Sequence, residues 1–99
     1  MDDPPIIIRP LPLPAPNSPH APVVVPISAE VIGNNLSVTF TGNLGEVEYE
    51  LVNLSTMEFE TDQVEGTGQV LIPFSGDSGS YTITFTLSNG VQYYGQFIL

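Results

Sequence analysis

Tyr81-Thr82-Ile83-Thr84-Phe85-Thr86-Leu87, then Ser88-Asn89-Gly90, then Val91-Gln92-Tyr93-Tyr94-Gly95-Gln96-Phe97 spells out a β-hairpin together with its register. Successive side chains of a strand point to opposite faces, so Tyr81, Ile83, Phe85 and Leu87 share one face and the threonines the other. Asn-Gly ordinarily marks a two-residue turn. Here that turn would pair Ser88 with Val91 and Phe85 with Tyr94, setting an apolar face against Gln92, Tyr94 and Gln96. A slip of one residue reverses every side chain, so burial vetoes that register. A three-residue loop, Ser88 to Gly90, instead pairs Leu87 with Val91, Phe85 with Tyr93 and Tyr81 with Phe97. Gly90 then takes the left-handed position without a Cβ clash. The stretch predicts an all-β domain.

Working outward, short alternating runs recur between turn signals every eight to twelve residues, and seven strands are expected from residue 27 onward. Ile27, Ala29 and Val31 alternate up to Gly33-Asn34, and Leu36, Val38 and Phe40 follow. A two-residue Gly33-Asn34 loop pairs Val31 with Leu36 and Ala29 with Val38, so turn and pattern agree. Val47, Tyr49 and Leu51 read as inward against Glu46, Glu48 and Glu50; Met57 and Phe59 read as inward against Glu58 and Glu60. Val70, Ile72 and Phe74 complete the set before the Gly76–Gly79 loop. This spacing of short strands indicates a sandwich or barrel.

Nine of the ten prolines precede residue 27, which divides the chain into an extended Pro-rich segment, 1–26, and a β domain, 27–99. Pro10, Pro12, Pro14 and Pro16 oppose helix and ladder pairing and favour polyproline II, in which 26 residues reach roughly 80 Å. Pro16, Pro19 and Pro22 fall on one ridge of that helix, which reads as a spacer or strand-adding arm rather than as a ligand for an aromatic groove. Yet Ile6-Ile7-Ile8 and Val23-Val24-Val25 are too apolar for a solvated linker, and at least one of them is expected to pack on a sheet.

Eleven acids face Arg9 alone, a formal charge of -10 with no Lys. Nucleic acid and anionic membranes require basic surface and are excluded as partners. No run of eighteen apolar residues spans a bilayer, and Met1-Asp2-Asp3 lacks the basic and apolar regions of a secretory signal. With no Cys, the strand framework must carry stability without staples.

Asp77-Ser78-Gly79-Ser80-Tyr81 matches the tyrosine corner of immunoglobulin-like domains, in which a Tyr at the start of the sixth strand locks the crossover between sheets. Asp77, Gly79 and Tyr81 are thus structural residues; Ile83 stands where antibody domains carry Cys, and no Trp is present. Gly76-Asp77-Ser78-Gly79 also matches a serine-protease nucleophile loop, but the chain's one histidine, His20, lies between prolines, so no catalytic residue is assigned. Glu46, Glu48 and Glu50, with Glu58, Glu60 and Asp62, would form a six-carboxylate face if their strands pair. Parallel side chains do not converge on a metal as a calcium loop does, so the face reads as solvated and aggregation-blocking. No metal and no cofactor is expected. Gln92, Tyr94 and Gln96, beside Thr82, Thr84 and Thr86, are the candidate ligand-binding residues, since a flat Tyr among amides can stack on a sugar ring.

Ala29 to Phe40, Asn43-Leu44-Gly45-Glu46-Val47-Glu48, Val52-Asn53, Gly79 to Phe85 and Tyr93 to Ile98 together resemble a family of small secreted immunoglobulin-like proteins of unknown function from Bacteroides-type gut bacteria. The resemblance spans most of residues 20–99 and implies a seven-stranded antiparallel immunoglobulin-like β-sandwich, export to the cell envelope or beyond, and no catalytic residue. The family's usual Gly in the turn near Ser55-Thr56 is missing here. The expected role is a non-enzymatic interaction or structural module that works by β-strand addition, with surface glycan binding as the alternative. Its partner would be a protein or glycan at the cell surface, or a second copy through the tail or an edge strand.

Overall fold

The computed structural model describes residues 6–11, 25–74 and 78–99. The proline ridge from Pro12 to Pro22, His20, Val23, Val24 and Asp77 lie outside those residues. The final hairpin has the predicted register. Leu87 N donates to Val91 O at 2.8 Å and Gly90 N to Leu87 O at 2.9 Å, while Phe85 faces Tyr93 and Tyr81 faces Phe97. Gly90 has φ 89°, the left-handed conformation that the three-residue loop demands.

Among the described residues the strands are β1 (Arg9–Leu11), β2 (Ile27–Ile32), β3 (Asn35–Phe40), β4 (Glu46–Asn53), β5 (Glu58–Glu65), β6 (Gly68–Pro73), β7 (Ser80–Leu87) and β8 (Gln92–Ile98). Seven of them fall from residue 27 onward, as the alternation predicts. They form a five-stranded sheet, ordered β1-β8-β7-β4-β5, and a three-stranded sheet, β2-β3-β6, with every pairing antiparallel. The Gly33-Asn34 loop pairs Val31 with Leu36 and Ala29 with Val38. Between the sheets lie the inward side chains of the long strands, with β5 contributing Val64. Leu36 and Val38 meet Val47, Ile83 and Phe85 there, all at 0% exposure, with Ile72 beside them.

Of the two apolar triplets, the first packs: Ile6 and Ile8 belong to this core, and Ile6 N donates to Ala29 O of β2 at 2.8 Å. Three residues on, β1 pairs with β8 in the other sheet, Arg9 opposite Tyr94 and Leu11 opposite Gln92. The segment therefore crosses the open side of the sandwich and touches both sheets. Pro10, read as barring ladder pairing, lies inside β1 opposite Tyr93. An edge strand tolerates it because a missing N–H needs no second neighbour.

The β5 strand overturns two expectations. Met57 and Phe59 are not inward; each is 71% exposed. A four-residue loop, Leu54 to Met57, joins Asn53 to Glu58, so Leu51 faces Glu60 and Tyr49 faces Asp62. Glu58, Glu60 and Asp62 thereby take the inner side of the sheet, and Phe59 takes the outer side with Glu50 and Glu48. The six-carboxylate face does not form. Its cause is the register set by the β4–β5 turn, and the three carboxylates stay exposed on β5, the outermost strand of the five-stranded sheet.

The turn that sets this register contains Met57 at φ 64°, the left-handed region, where a Cβ is strained. This residue holds the conformation that the absent Gly would relieve. Because Met57 is exposed, Met57→Gly loses little packing. It is expected to stabilise the fold by about 0.5–1 kcal/mol, net of the glycine's greater unfolded-chain entropy. Urea unfolding should show a higher midpoint at an unchanged slope.

Candidate binding surfaces

Three places gather the residues with chemistry to offer: the outer face of β8, the corner around Gly79, and the groove that holds the N-terminal segment.

Alternation along β8 sends Gln92, Tyr94 and Gln96 to the outer face of the five-stranded sheet, level with Thr86, Thr84 and Thr82 of β7. Gln92 Nε2 donates to Thr86 Oγ1 at 3.1 Å, which fixes that amide flat on the sheet. Tyr94 is half-buried between its register partners Thr84 and Arg9, and Gln96 is exposed. Arg9, Tyr94 and Gln96 line a shallow depression of about 280 Å³ with Ile7 and Gly95. A second depression of about 360 Å³ runs from Gln92 across Thr84 and Thr86 to Glu48 and Glu50. The three sequence-derived residues thus share one open face. The row across it, Arg9–Tyr94–Thr84–Glu50–Thr61, carries the chain's single guanidinium at one end and a carboxylate near the other.

Of the corner residues, Asp77 is outside the described residues, Gly79 directly precedes β7 and Tyr81 lies at its start. Tyr81 is buried, stacked on Phe97 at 5.0 Å between ring centroids and edge-on to Phe74 at 5.5 Å. Gly79 has φ 149°, and a Cβ there would stand 2.7 Å from Asn53 Oδ1. That oxygen is already engaged, accepting from Ser55 N at 2.9 Å and Thr56 N at 3.3 Å, and Ser55 Oγ accepts from Ser80 N at 3.2 Å. Gly79 and Leu99 exchange backbone hydrogen bonds in both directions. Asn53, which sequence reading passed over, ties the β4–β5 turn to the start of β7.

The groove for the N-terminal segment is built on Gly95, in the middle of β8. A Cβ at Gly95 would lie 2.7 Å from both Ile6 Cγ2 and Ile8 Cδ1 and 3.1 Å from Ile7 O. Only a residue without a side chain lets the segment lie this close. The sequence does hold a signal for it, a lone glycine interrupting an aromatic-rich strand, which marks a close backbone approach.

Tyr49 shows the electrostatics of the inner side of β5. Burial raises its phenol above the ordinary value of 10.0, and the negative charges of Glu60 and then Asp62 raise it further. The unfolded chain therefore releases this proton at a lower pH than the folded chain does. Stability from this group is full below pH 10 and is lost as pH rises through the higher folded value. Tyr49→Phe is expected to flatten the alkaline fall in stability, measured as urea midpoints from pH 8 to pH 11 (an experimental range of roughly three pH units around the phenol).

Among the described residues, no group of three or more His, Cys, Asp or Glu is placed to hold a metal ion. No protein-family model and no curated protein matches the sequence. Among solved structures, the chain is similar to a DUF3244-family protein from Bacteroides vulgatus described as having an immunoglobulin-like β-sandwich fold. The TM-score is 0.72 over 96% of each chain, at 10% sequence identity. The fold is immunoglobulin-like. At that identity the likeness extends to the arrangement of strands and carries no assignment of activity to any side chain.

Proposed function

We propose that this immunoglobulin-like chain is an exported, non-enzymatic interaction module that associates by β-strand addition. One observation carries the reading: the N-terminal segment is itself an added strand, antiparallel to β8, with Ile6 and Ile8 seated in a groove that Gly95 keeps open. Main-chain hydrogen bonds give such a contact its affinity, and the alternate side chains that enter the core give it specificity. The same groove can take this segment from its own chain, from a second copy, or an equivalent strand from a protein at the cell surface.

The test compares the full chain with a variant lacking residues 1–11. A synthetic peptide of residues 5–12 should bind the shortened chain and not the full one, and Gly95→Ala in the shortened chain should weaken that binding. A peptide that binds both chains alike would show that β8 is not the receiving edge. Fractionation of native cells tests the export half of the reading, which a cytosolic location would overturn.

A second reading rests on the outer face of β8, where the half-buried Tyr94 lies opposite Arg9 on the same face as Gln92 and Gln96. Stacking on a sugar ring there would make the module a surface glycan binder. Glycan-array signal that disappears in Tyr94→Ala would favour it over strand addition.

A further inference from the structure

Each sheet ends in two edge strands, β1 and β5 in one and β2 and β6 in the other. An edge offers a row of unpaired backbone groups to any strand that meets it, and proteins blunt it with charge, proline, brevity or a covering segment. Three of these edges are blunted in such ways. β1 is three residues long, with Pro10 at its centre. β2 carries Glu30 and is crossed by the N-terminal segment, whose Ile6 N occupies Ala29 O. β5 carries Glu58, Glu60, Asp62 and Glu65. Its Gln63 N–H already donates to Asp62 Oδ1 at 2.8 Å. Only β6, Gly68–Pro73, is uncharged and uncovered among the described residues.

The register shows which backbone groups β6 presents. Phe74 N donates to Asn34 O at 3.0 Å, one step beyond the pair of Asn35 with Pro73. Backbone groups of an antiparallel pair alternate in direction. Phe74, Ile72 and Val70 therefore bond to β3, and Gln69, Leu71 and Pro73 turn their backbone groups outward. Pro73, which has no N–H, stands where β3 needs none. The Gln69 side chain is drawn back over the sheet by its bond from Nε2 to Ser37 Oγ at 2.7 Å, which leaves the edge clear.

We propose that this edge pairs with the same edge of a second copy, antiparallel about a two-fold axis at Val70, so that two three-stranded sheets join into one. Centred there, Gln69 of each copy faces Leu71 of the other, and every outward N–H and carbonyl of these two residues is engaged. Centring on Leu71 instead sets Gln69 O against Pro73 N, which has no hydrogen to give. The two Leu71 side chains, each 58% exposed, become diagonal neighbours across the axis.

Charge selects the occupant. A basic partner is drawn to the carboxylates of β4 and β5 in the other sheet and gains nothing at an uncharged strand. Two copies at a formal charge of -10 each repel, and they approach most easily where charge is absent, as it is from Gly66 to Phe74. The pairing uses a different sheet from the β8 groove and does not depend on the strand-addition reading.

Sedimentation equilibrium of the full chain tests it. A monomer–dimer equilibrium should tighten as sodium chloride rises from about 0.02 M to about 0.5 M, since salt screens the repulsion between like-charged copies. At the higher salt its dissociation constant should be about 1 mM or lower. Leu71→Glu sets two carboxylates near each other across the axis and should raise that constant about tenfold or more. Ile32→Glu makes the same change at an exposed position on β2, the other edge of the sheet, and should alter it by no more than about twofold at that salt. Hydrogen exchange at Leu71 N–H should slow as chain concentration rises. A chain that stays monomeric at about 1 mM, a dimer that salt weakens, or equal losses in the two variants would each overturn the proposal. So would a dimer that protects Ile6 N–H in place of Leu71 N–H, which would be an exchange of the N-terminal segment.

Discussion

Gly95→Ala is expected to destabilise the full chain by about 2–4 kcal/mol, although alanine is ordinarily the better strand residue. The added methyl would stand 2.7 Å from two isoleucine carbons and 3.1 Å from the Ile7 carbonyl oxygen. The side-chain ends can swing aside, but Ile6 and Ile8 are both at the contact and the carbonyl belongs to the backbone between them. Relief therefore requires the whole segment to lift. Lifting exposes two side chains now 6% and 8% exposed, each contributing about 1.5–3 kcal/mol by burial. It also breaks the Ile6 N to Ala29 O hydrogen bond. Removing residues 1–11 removes the clash along with its cause. In that background Gly95→Ala should be neutral or stabilise by up to about 1 kcal/mol. The double-mutant cycle thus isolates the contact, and a cycle that closes additively would show that Gly95 does not hold the segment. Hydrogen exchange at Ile6 N–H gives an independent readout, slow in the natural chain and fast in the variant.

The hairpins were legible because each rests on two signals that must agree. For β7 and β8, alternation and Asn89-Gly90 disagreed by one residue, and burial decided between them. For β2 and β3, Gly33-Asn34 and the apolar pattern coincided. The β4–β5 hairpin offered only one signal. In Met57-Glu58-Phe59-Glu60, aromatic and acidic residues alternate, and the pattern alone makes the hydrophobic set inward. What reverses it is a turn closed by Met57 in a conformation that glycine usually signals. That register is a property of the assembled hairpin and is written in no local window. The same holds for the N-terminal segment. Its apolar triplet announced that it packs, but the place where it packs is encoded some ninety residues away, at Gly95 (a separation read from the numbering). Of the candidate surfaces, the grouping of Gln92, Tyr94 and Gln96 followed from period-two alternation, whereas the placement of Glu58 and Glu60 beside Asn53 and Leu51 depended on the register that the pattern missed.

Two phenylalanines of the same sheet give the sharpest test of that register. Phe85 is at 0% exposure, flanked across the strands by Tyr49 and Tyr93, and Phe59 is 71% exposed on the outer side of β5. Phe85→Ala removes a ring from the centre of the core, and the surrounding strands are fixed by ladders on both sides and cannot close the void. The expected loss is about 3–5 kcal/mol, a large part of the roughly 5–15 kcal/mol that holds a domain together. In thermal unfolding this corresponds to a fall of roughly 15–30 °C. Phe59→Ala removes an identical ring from solvent-facing surface and should change stability by no more than about 0.5 kcal/mol. Had the alternation of residues 57–60 set the register, Phe59 would enter the core and both substitutions would be costly. Comparable losses at the two positions would therefore return Glu58 and Glu60 to the solvent side. A loss confined to Phe85 leaves β5 as an edge strand with Glu58 and Glu60 on the same face as Asn53 and Leu51.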